Sequence, residues 1–439
     1  MLVGTVCHPV KETPLDYFAL HETLESSVRS YSRHTPAMFS RAVNHRLWDN
    51  AGVEYLDFLA GSGSLNYGHN DPDMKSALLE YISNDGIVLG LDFYFEAKTK
   101  FFEVFREIIL QPRRLDYKLQ CVGPTGTNAV EAALKLARKV TGRSHVISFT
   151  NAFHGCTLGA LSVTGNRNYR NAYQGELGHV YRAAYDGYYD GLDSADLLEQ
   201  MLSDPSSGFD NVAAIILEGV QGEGGFNVAT APWAQKIAAI ARSHGALLIL
   251  DEIQTGCGRT GSFFSFESLG IRPDIVTLAK SLSGFGLPLA MVMMRPELDK
   301  WEPGEHTGTF RGNAHAFVTG TVALRKFWMD TQLSDRVHAF ETKITQHLSA
   351  LSERYACSRK GRGMMQGLQF QNGNVAERVQ ALGLGRGLII ERCGPGNKVV
   401  KLLPPLTITD AALERGLKIV AEAVEEACDV RESLGALVS

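Results

Sequence analysis

Two residues with chemically useful side chains stand just after two short apolar runs in the middle of the chain. Asp251 directly follows the run Ala246–Leu250, and Lys280 comes one residue after the run Ile275–Leu278. Short aliphatic runs bounded by Gly, Pro or polar residues predict buried strands of a parallel sheet. Because ligands bind beyond the carboxyl ends of such strands, we expect this carboxylate and this amine at the same edge of one sheet.

A carboxylate and an amine placed in this way predict pyridoxal phosphate chemistry. Such an enzyme needs a Lys that forms a Schiff base with the cofactor and an acidic residue that keeps the pyridine nitrogen protonated. Lys280 lies in an uncharged run from Ile275 to Pro288, whose burial would lower the pKa of the amine. Alone, Lys280 is more simply a surface lysine and Asp251 a helix or turn cap, so the prediction depends on the pair.

A glycine- and threonine-containing turn predicts the place of the cofactor phosphate. The stretch GPTGTNAVEAALKLARK, residues 123–139, follows a short strand and opens a helix. Backbone N–H groups at a helix N-terminus and the hydroxyls of Thr125 and Thr127 suit a phosphate, and Gly123 and Gly126, which have no side chain, let the backbone approach it. The turn lacks the closing Gly-Lys-Ser/Thr of a Walker motif, and alone it is a weak signal.

Three further polar or aromatic residues follow predicted strands. Phe153 could stack on the cofactor ring, although a core aromatic is about as common in such a tripeptide. Glu218 closes the run VAAIIL just as Asp251 closes its own run. Glu223, in the turn Gly222–Gly225, is interpreted as a solvated loop charge.

The amino-acid composition limits the classes of protein to which this chain can belong. The chain has 439 residues, of which 44% are apolar and 21% charged, with a net charge of −5. This balance gives no reason to expect a nucleic acid or an anionic membrane as partner. The beginning of the chain lacks the pattern of a secretory signal, no apolar run is long enough to cross a bilayer, and the seven cysteines form no C-x-x-C pair. We expect reduced thiols in a cytoplasmic protein, with no metal site.

Helix and strand patterns divide the chain. From about residue 75 to 290 they alternate, which predicts an α/β domain with a mainly parallel sheet. After about residue 315 the pattern changes and predicts a smaller α+β domain. Before them, Arg46–Trp48 and Val53–Leu59 predict a hairpin, and Asp71-Pro72 predicts a helix start. The expected divisions are residues 1–65, an N-terminal segment joining the small domain, residues 66–315, the large cofactor-binding domain, and residues 316–439, the C-terminal small domain.

The order of these motifs resembles the class III aminotransferases, which are fold type I pyridoxal phosphate enzymes. The resemblance is carried by Gly126-Thr127, Phe153-His154-Gly155, Glu218 with Val220-Gln221-Gly222, Asp251-Glu252-Ile253-Gln254-Thr255-Gly256 and Ala279-Lys280. It covers about residues 35–430. It implies an α/β fold with a mainly parallel seven-stranded sheet in the large domain and a smaller α+β domain built from both termini.

The resemblance also implies a role for each matching residue. Lys280 would hold the cofactor and carry the proton, Asp251 would pair with the pyridine nitrogen, and Gln254 would contact the ring hydroxyl. Gly126 and Thr127 would hold the phosphate, Phe153 would stack on the ring, and His154 would lie beside it. Thr309, in GEHTGTFRGN, would reach the phosphate of the other subunit, which implies a homodimer and possibly a tetramer.

Substrate binding is implied for residues outside the central stretch. Glu218 matches a gate carboxylate that pairs with a cation from the C-terminal domain and releases that cation for a dicarboxylate substrate. Lys401 stands where ornithine- and 4-aminobutyrate-type members usually carry Arg, and it offers a point charge instead of a bidentate fork. Arg392 is the second candidate for that cation. The segment Ser62–Tyr67 should also contribute to substrate choice, with Tyr67 as its proposed substrate contact.

Longer shared strings narrow the expected activity. DFLAGSGSLNYGHN, SFTNAFHGCTLGALSVTGNRNYR and VVKLLPPLTI, among others, resemble diaminobutyrate–2-oxoglutarate aminotransferases of the ectoine-pathway type. The implied reaction exchanges an amine between glutamate and aspartate 4-semialdehyde. The alternatives are ω-aminotransferases that use ornithine, acetylornithine or 4-aminobutyrate, an aminomutase, and a non-catalytic cofactor-binding protein, against which Lys280, Asp251 and the phosphate turn together argue.

Overall fold

The computed structural model describes residues 17–170 and 177–435. The chain divides into two units, residues 1–38 and 39–439. Helices α1 and α2 belong to the first unit, and every element of the candidate site belongs to the second. Cys7 lies outside the described residues, and none of the described cysteines forms a disulfide.

The strands are β1 Phe39–Val43, β2 Arg46–Asp49, β3 Glu54–Asp57, β4 Lys118–Cys121, β5 His145–Phe149, β6 Val180–Ala183, β7 Val212–Glu218, β8 Leu247–Asp251, β9 Ile275–Leu278, β10 Met291–Met294, β11 Cys357–Arg362, β12 Met365–Phe370, β13 Leu388–Ile389, β14 Glu391–Cys393 and β15 Val399–Leu402. The α-helices are α1 Tyr17–Leu24, α2 Tyr31–His34, α3 Ala60–Gly63, α4 Pro72–Ser83, α5 Glu96–Phe105, α6 Gly126–Thr141, α7 Leu158–Val163, α8 Arg167–Arg170, α9 Ser194–Ser203, α10 Ala231–Ser243, α11 Phe266–Leu269, α12 Ala314–Trp328, α13 Gln332–Arg354, α14 Gly373–Gly385 and α15 Asp410–Gly435.

A seven-stranded sheet forms the centre of the second unit. Its order is β4-β10-β9-β8-β7-β5-β6, and all neighbours are parallel except β10, which runs antiparallel to both β4 and β9. Strands β7, β8 and β9 are buried along their whole length, as expected for a sheet covered on both faces. The mainly parallel sheet predicted from the sequence is confirmed.

Two smaller sheets contain residues from the ends of the second unit. One has the order β1-β2-β3-β13, so the hairpin near residue 50 pairs with a C-terminal strand through β3 and β13. The other has the order β11-β12-β15-β14. The three divisions expected from the sequence, with boundaries after residues 65 and 315, stay a prediction.

Local signals placed several elements correctly. The predicted hairpin is present as β2 and β3. At the start of α4, the Asp71 carboxylate accepts hydrogen bonds from the N–H groups of Asp73 and Met74, and Pro72 occupies the first turn. Among the described residues, no helix is sufficiently long and apolar to cross a membrane.

Candidate active site

The ends of three neighbouring strands bring the predicted chemical groups together. Glu218, at the end of β7, lies opposite Asp251, at the end of β8, and Asp251 in turn lies opposite Thr277 in β9. Lys280 follows β9 after one residue. Glu218, Asp251 and Lys280 line a cavity of about 510 Å³. The carboxylate and the amine predicted from two strand ends therefore share one pocket.

Lys280 is half-buried, and its side chain lines the cavity. Its Nζ donates to the carbonyl of Ser62 at 3.0 Å. Burial disfavours the cation and lowers the pKa of Lys280 to about 8, against the attraction of Glu223. The backbone of Lys280 has a φ of 48°, a left-handed conformation that costs free energy in a side-chain-bearing residue and is found where function demands it.

Asp251 is fixed by three contacts. Its Oδ2 is 2.7 Å from Nδ1 of His154, and its Oδ1 accepts hydrogen bonds from the Ile253 N–H at 3.0 Å and the Thr277 hydroxyl at 3.2 Å. Burial opposes the His154 cation, but the Asp251 carboxylate outweighs it and raises the pKa of His154. The other ring nitrogen of His154 is buried without a partner among the described residues. Asp251 is thus oriented by its neighbours toward the pocket.

The turn before α6 forms a cradle of small residues and hydroxyls. Helix α6 begins at Gly126, and Thr125, Gly126 and Thr127 all line the cavity. The Thr127 Oγ1 lies 2.7 Å from the Thr157 Oγ1. A Cβ on Gly155, which has a φ of 129°, would meet the Thr127 hydroxyl at 2.4 Å. The cradle therefore needs glycine at residue 155, because any larger residue would collide with a hydroxyl of the site.

Pyridoxal phosphate fits these residues. Exposed N–H groups and hydroxyls of the cradle suit a doubly charged phosphate, Asp251 suits a protonated pyridine nitrogen, and the Lys280 amine suits a Schiff base. The ring of Phe153 also lines the cavity and packs edge-on against Tyr169. Gln254 lines the cavity too, with its Nε2 donating to the Ser62 carbonyl at 2.9 Å. Their individual contacts with the cofactor stay predictions.

Lys401 meets a different carboxylate from the one implied by the resemblance. Its Nζ, only 1% exposed, donates to Oε1 of Glu223 at 2.8 Å. The Glu218 carboxylate accepts instead from the N–H groups of Phe153 and Gly222, each at 3.0 Å. Glu218 is therefore wrong as the partner of the C-terminal cation. The cause is the turn after β7, which carries Glu223 toward β15 and keeps Glu218 at the strand end.

Glu223 was missed because its surroundings in the sequence are those of a loop. The interpretation as a solvated charge is wrong, since the side chain lies beside a buried lysine and lines the cavity. Burial raises the pKa of Glu223, but attraction by Lys401 outweighs it and lowers the value overall. Its flanking glycines are a usable signal: a Cβ on Gly222 would collide with Oε1 of the Gln254 side chain, so this turn packs against the site.

Two other expected substrate contacts lie elsewhere. Arg392 pairs across the sheet with Val400, the residue before Lys401, so its side chain lies on the opposite face of the sheet. There it donates to Gln380 and Glu377 on α14. Tyr67 is also wrong as a substrate contact. Its ring stacks on Phe327 in the core, and its hydroxyl accepts from the Trp328 indole at 2.8 Å.

Thr309 does not join the site within one chain. It is exposed, in a turn outside the cavity, next to Phe310, which is 67% exposed. From the segment Ser62–Tyr67, Ser64 lines the cavity, and Ser62 contributes the carbonyl that Lys280 and Gln254 share.

Comparison with known proteins agrees with this geometry. The family model described as "Aminotransferase class-III" matches residues 28–424. A diaminobutyrate–2-oxoglutarate transaminase of Vibrio cholerae is 53% identical, over 94% of this chain and 100% of that protein. One from Nocardia farcinica is also 53% identical, over 93% of this chain and 94% of that protein.

A solved structure shows the same architecture. The ornithine aminotransferase of Toxoplasma gondii superposes with a TM-score of 0.82 at 28% identity, covering 96% of each chain. The half-buried lysine, the carboxylate at the neighbouring strand end, the cradle before α6 and these similarities support one conclusion. The chain belongs to the class III aminotransferases, enzymes that act on small molecules with pyridoxal 5′-phosphate as cofactor.

Proposed function

We propose that this enzyme interconverts L-glutamate plus L-aspartate 4-semialdehyde with 2-oxoglutarate plus L-2,4-diaminobutyrate. Relatives named for diaminobutyrate and 2-oxoglutarate are similar over nearly the whole chain. The observation that carries the proposal is the ion pair between the buried Lys401 and Glu223, since Glu223 lines the same cavity as Lys280. It provides a cation for a dicarboxylate and a carboxylate that neutralises this cation when the other substrate binds.

The residues around Lys280 would perform the proton transfer. The bound cofactor supplies an electron sink, which makes the C–H bond beside the transferred nitrogen acidic. Lys280 Nζ takes that proton and returns it, and a pKa near neutrality suits a group that must do both. Asp251 holds a proton at the pyridine nitrogen, while His154 keeps the Asp251 carboxylate in place.

Lys401 and Glu223 would select between the two substrates. With glutamate or 2-oxoglutarate, Lys401 turns from Glu223 to the substrate carboxylate that lies far from the reacting carbon. With diaminobutyrate, Glu223 keeps its contact with Lys401, so that no unpaired buried charge remains. Each state leaves the lysine with an anionic partner, so the buried cation is never left alone.

Donor specificity tests this proposal. The purified enzyme is supplied with 2-oxoglutarate and, in turn, diaminobutyrate, ornithine, N-acetylornithine or 4-aminobutyrate, and glutamate formation is measured. We expect the highest kcat/KM for diaminobutyrate. A higher value for another donor would reassign the substrate, and conversion of an amino acid without any keto acid would identify an aminomutase.

A homodimer is the proposed assembly, with Thr309 completing the neighbouring site. Its support is a set of exposed apolar side chains: Val88 at 68%, Phe93 at 66%, Tyr94 at 98% and Phe310 at 67% exposed. Exposed apolar residues in such numbers are typical of an interface. Sedimentation should show a dimer. Thr309→Ala should weaken cofactor binding while the protein stays a dimer. A monomer with full activity would contradict both statements.

The same proposal includes the pathway that the enzyme serves and its location in the cell. A role in ectoine biosynthesis and a cytoplasmic location rest on the sequence resemblance and on the unpaired thiols. If the enzyme serves ectoine biosynthesis, deleting its gene should stop the cell from making ectoine. Cell fractionation tests the cytoplasmic location.

A further inference from the structure

A second cavity opens at the opposite edge of the seven-stranded sheet. It encloses about 600 Å³ and is lined by Leu247, the first residue of β8, and by Asp274, the residue before β9. The same strands end at Asp251 and just before Lys280. The cavity therefore lies at the amino ends of these strands, separated from the candidate active site by the length of the sheet.

Four arginines from four segments line this cavity. Arg114 precedes β4, Arg242 lies in the last turn of α10, Arg272 precedes β9 and Arg295 follows β10. The guanidinium of Arg295 is already neutralised, at 2.9 Å from Asp274 and 3.2 Å from Glu297. Across residues 17–170 and 177–435, no carboxylate forms an ion pair with the other three.

The charge of the cavity is therefore unbalanced. Four arginines and three carboxylates line it, which leaves a formal net charge of +1, and two of those carboxylates, Asp274 and Glu297, are both engaged by Arg295. A cation at the end of α10 gains from the helix dipole, which accounts for Arg242 alone. It does not account for Arg272, whose Nη1 reaches the Arg114 carbonyl at 3.5 Å, or for Arg114, held at a φ of 52°. All three arginines are exposed, so water screens their mutual repulsion, and an anion in the cavity would add the ion-pair partner that they lack.

The rest of the wall is apolar. It consists of Leu115, Ala238, Ala246 and the ring of Tyr117. The Tyr117 hydroxyl donates a hydrogen bond to the carbonyl of Pro273. A concave apolar surface with a few charged groups is the usual form of a site for an organic molecule. A guanidinium group can donate two parallel hydrogen bonds to two oxygens of a phosphate. The arginines and the apolar wall together therefore suit a phosphate that is attached to an apolar or planar organic group.

We propose that this cavity binds a small organic phosphate, with the phosphate on Arg114, Arg242 and Arg272 and the organic part against the apolar wall. The site is distinct from the cofactor cradle, because none of its lining residues belongs to the cavity around Lys280. The proposal is independent of the substrate assigned above.

Calorimetric titration of the holoenzyme tests the site. Adenosine 5′-monophosphate is the probe, and adenosine and inorganic phosphate are the comparison ligands. We expect saturable binding of the monophosphate that is much tighter than binding of either comparison ligand. Arg242→Gln and Arg272→Gln should each weaken it about tenfold or more, since a hydrogen bond to a charged group is lost.

Arg325→Gln is the matched control. Arg325 is an exposed arginine on α12, outside this cavity, and the described residues offer it no ion pair either. Its variant should bind the probe as the parent enzyme does, and melting temperatures should show that all three variants fold. Equal binding of adenosine and its monophosphate, unchanged affinity in Arg242→Gln and Arg272→Gln, or no saturable binding would overturn the proposal. Tight binding of citrate without binding of the monophosphate would also overturn it.

Discussion

The Nζ of Lys401 lies 2.8 Å from Oε1 of Glu223, and this contact joins the C-terminal sheet to the turn that follows β7. Both groups are largely buried, so each is costly to leave without the other. Ser62, whose hydroxyl oxygen is 3.5 Å from the same Oε1, connects the pair to the carbonyl that binds Lys280. A substrate carboxylate that draws Lys401 away from Glu223 must therefore take the place of Glu223 as the partner of this buried lysine.

Lys401→Ala should raise the KM for glutamate about tenfold or more, because one charge-assisted hydrogen bond to the substrate carboxylate is lost. The KM for diaminobutyrate should change much less. Steady-state kinetics with each donor measures both. Lys401→Arg keeps the positive charge and serves as the matched variant, with a KM for glutamate near that of the parent enzyme. An unchanged KM for glutamate in Lys401→Ala would place the carboxylate contact on another residue.

The rate of cofactor attachment should depend on pH through Lys280. Only the neutral amine attacks the cofactor aldehyde, and burial lowers the pKa of this amine to about 8. Attachment to the apoenzyme should therefore speed up as pH rises from 7 to 9 and then level off. Borohydride reduction at timed intervals, followed by mass spectrometry of the peptide that contains residue 280, measures it. A rate that keeps rising to pH 10 would indicate an ordinary, solvated lysine, and Lys280→Ala should show no attachment at all.

Asp251→Ala should lose nearly all activity and keep its fold. The carboxylate holds the proton on the pyridine nitrogen, and without that charge the ring is a poor electron sink. Thermal unfolding and circular dichroism should show a folded protein, since the carboxylate contributes few contacts beyond His154, Ile253 and Thr277. Activity comparable to that of the parent enzyme would refute the assignment of this residue.

Gly155→Ala should weaken cofactor binding. Its Cβ would lie 2.4 Å from the Thr127 hydroxyl, and alanine is disfavoured at a φ of 129°. Gly385→Ala is the control, because a Cβ there meets nothing within 4 Å and the backbone needs no left-handed conformation. Equilibrium dialysis of pyridoxal phosphate against both apoenzymes measures the difference. Equal affinities would show that the cradle tolerates a side chain at residue 155.

Strand ends could be predicted because burial on both faces leaves a continuous apolar run in the sequence. Asp251 and Lys280 end or follow such runs, and the rule that parallel strands present their carboxyl ends at one edge then places them together. The register of β7 and β8, with Glu218 opposite Asp251, agrees with the same reasoning.

The sequence alone predicts the residues whose positions follow from local pattern: the buried strands β7, β8 and β9, the helix at the phosphate turn, Asp251 and Lys280. The tertiary structure alone decided that Glu223 rather than Glu218 meets Lys401, that Arg392 lies on the other face of its sheet, and that Tyr67 belongs to the core. These contacts join residues far apart in the chain. Their partners depend on turn geometry, sheet register and packing, none of which leaves a periodic signal in the sequence.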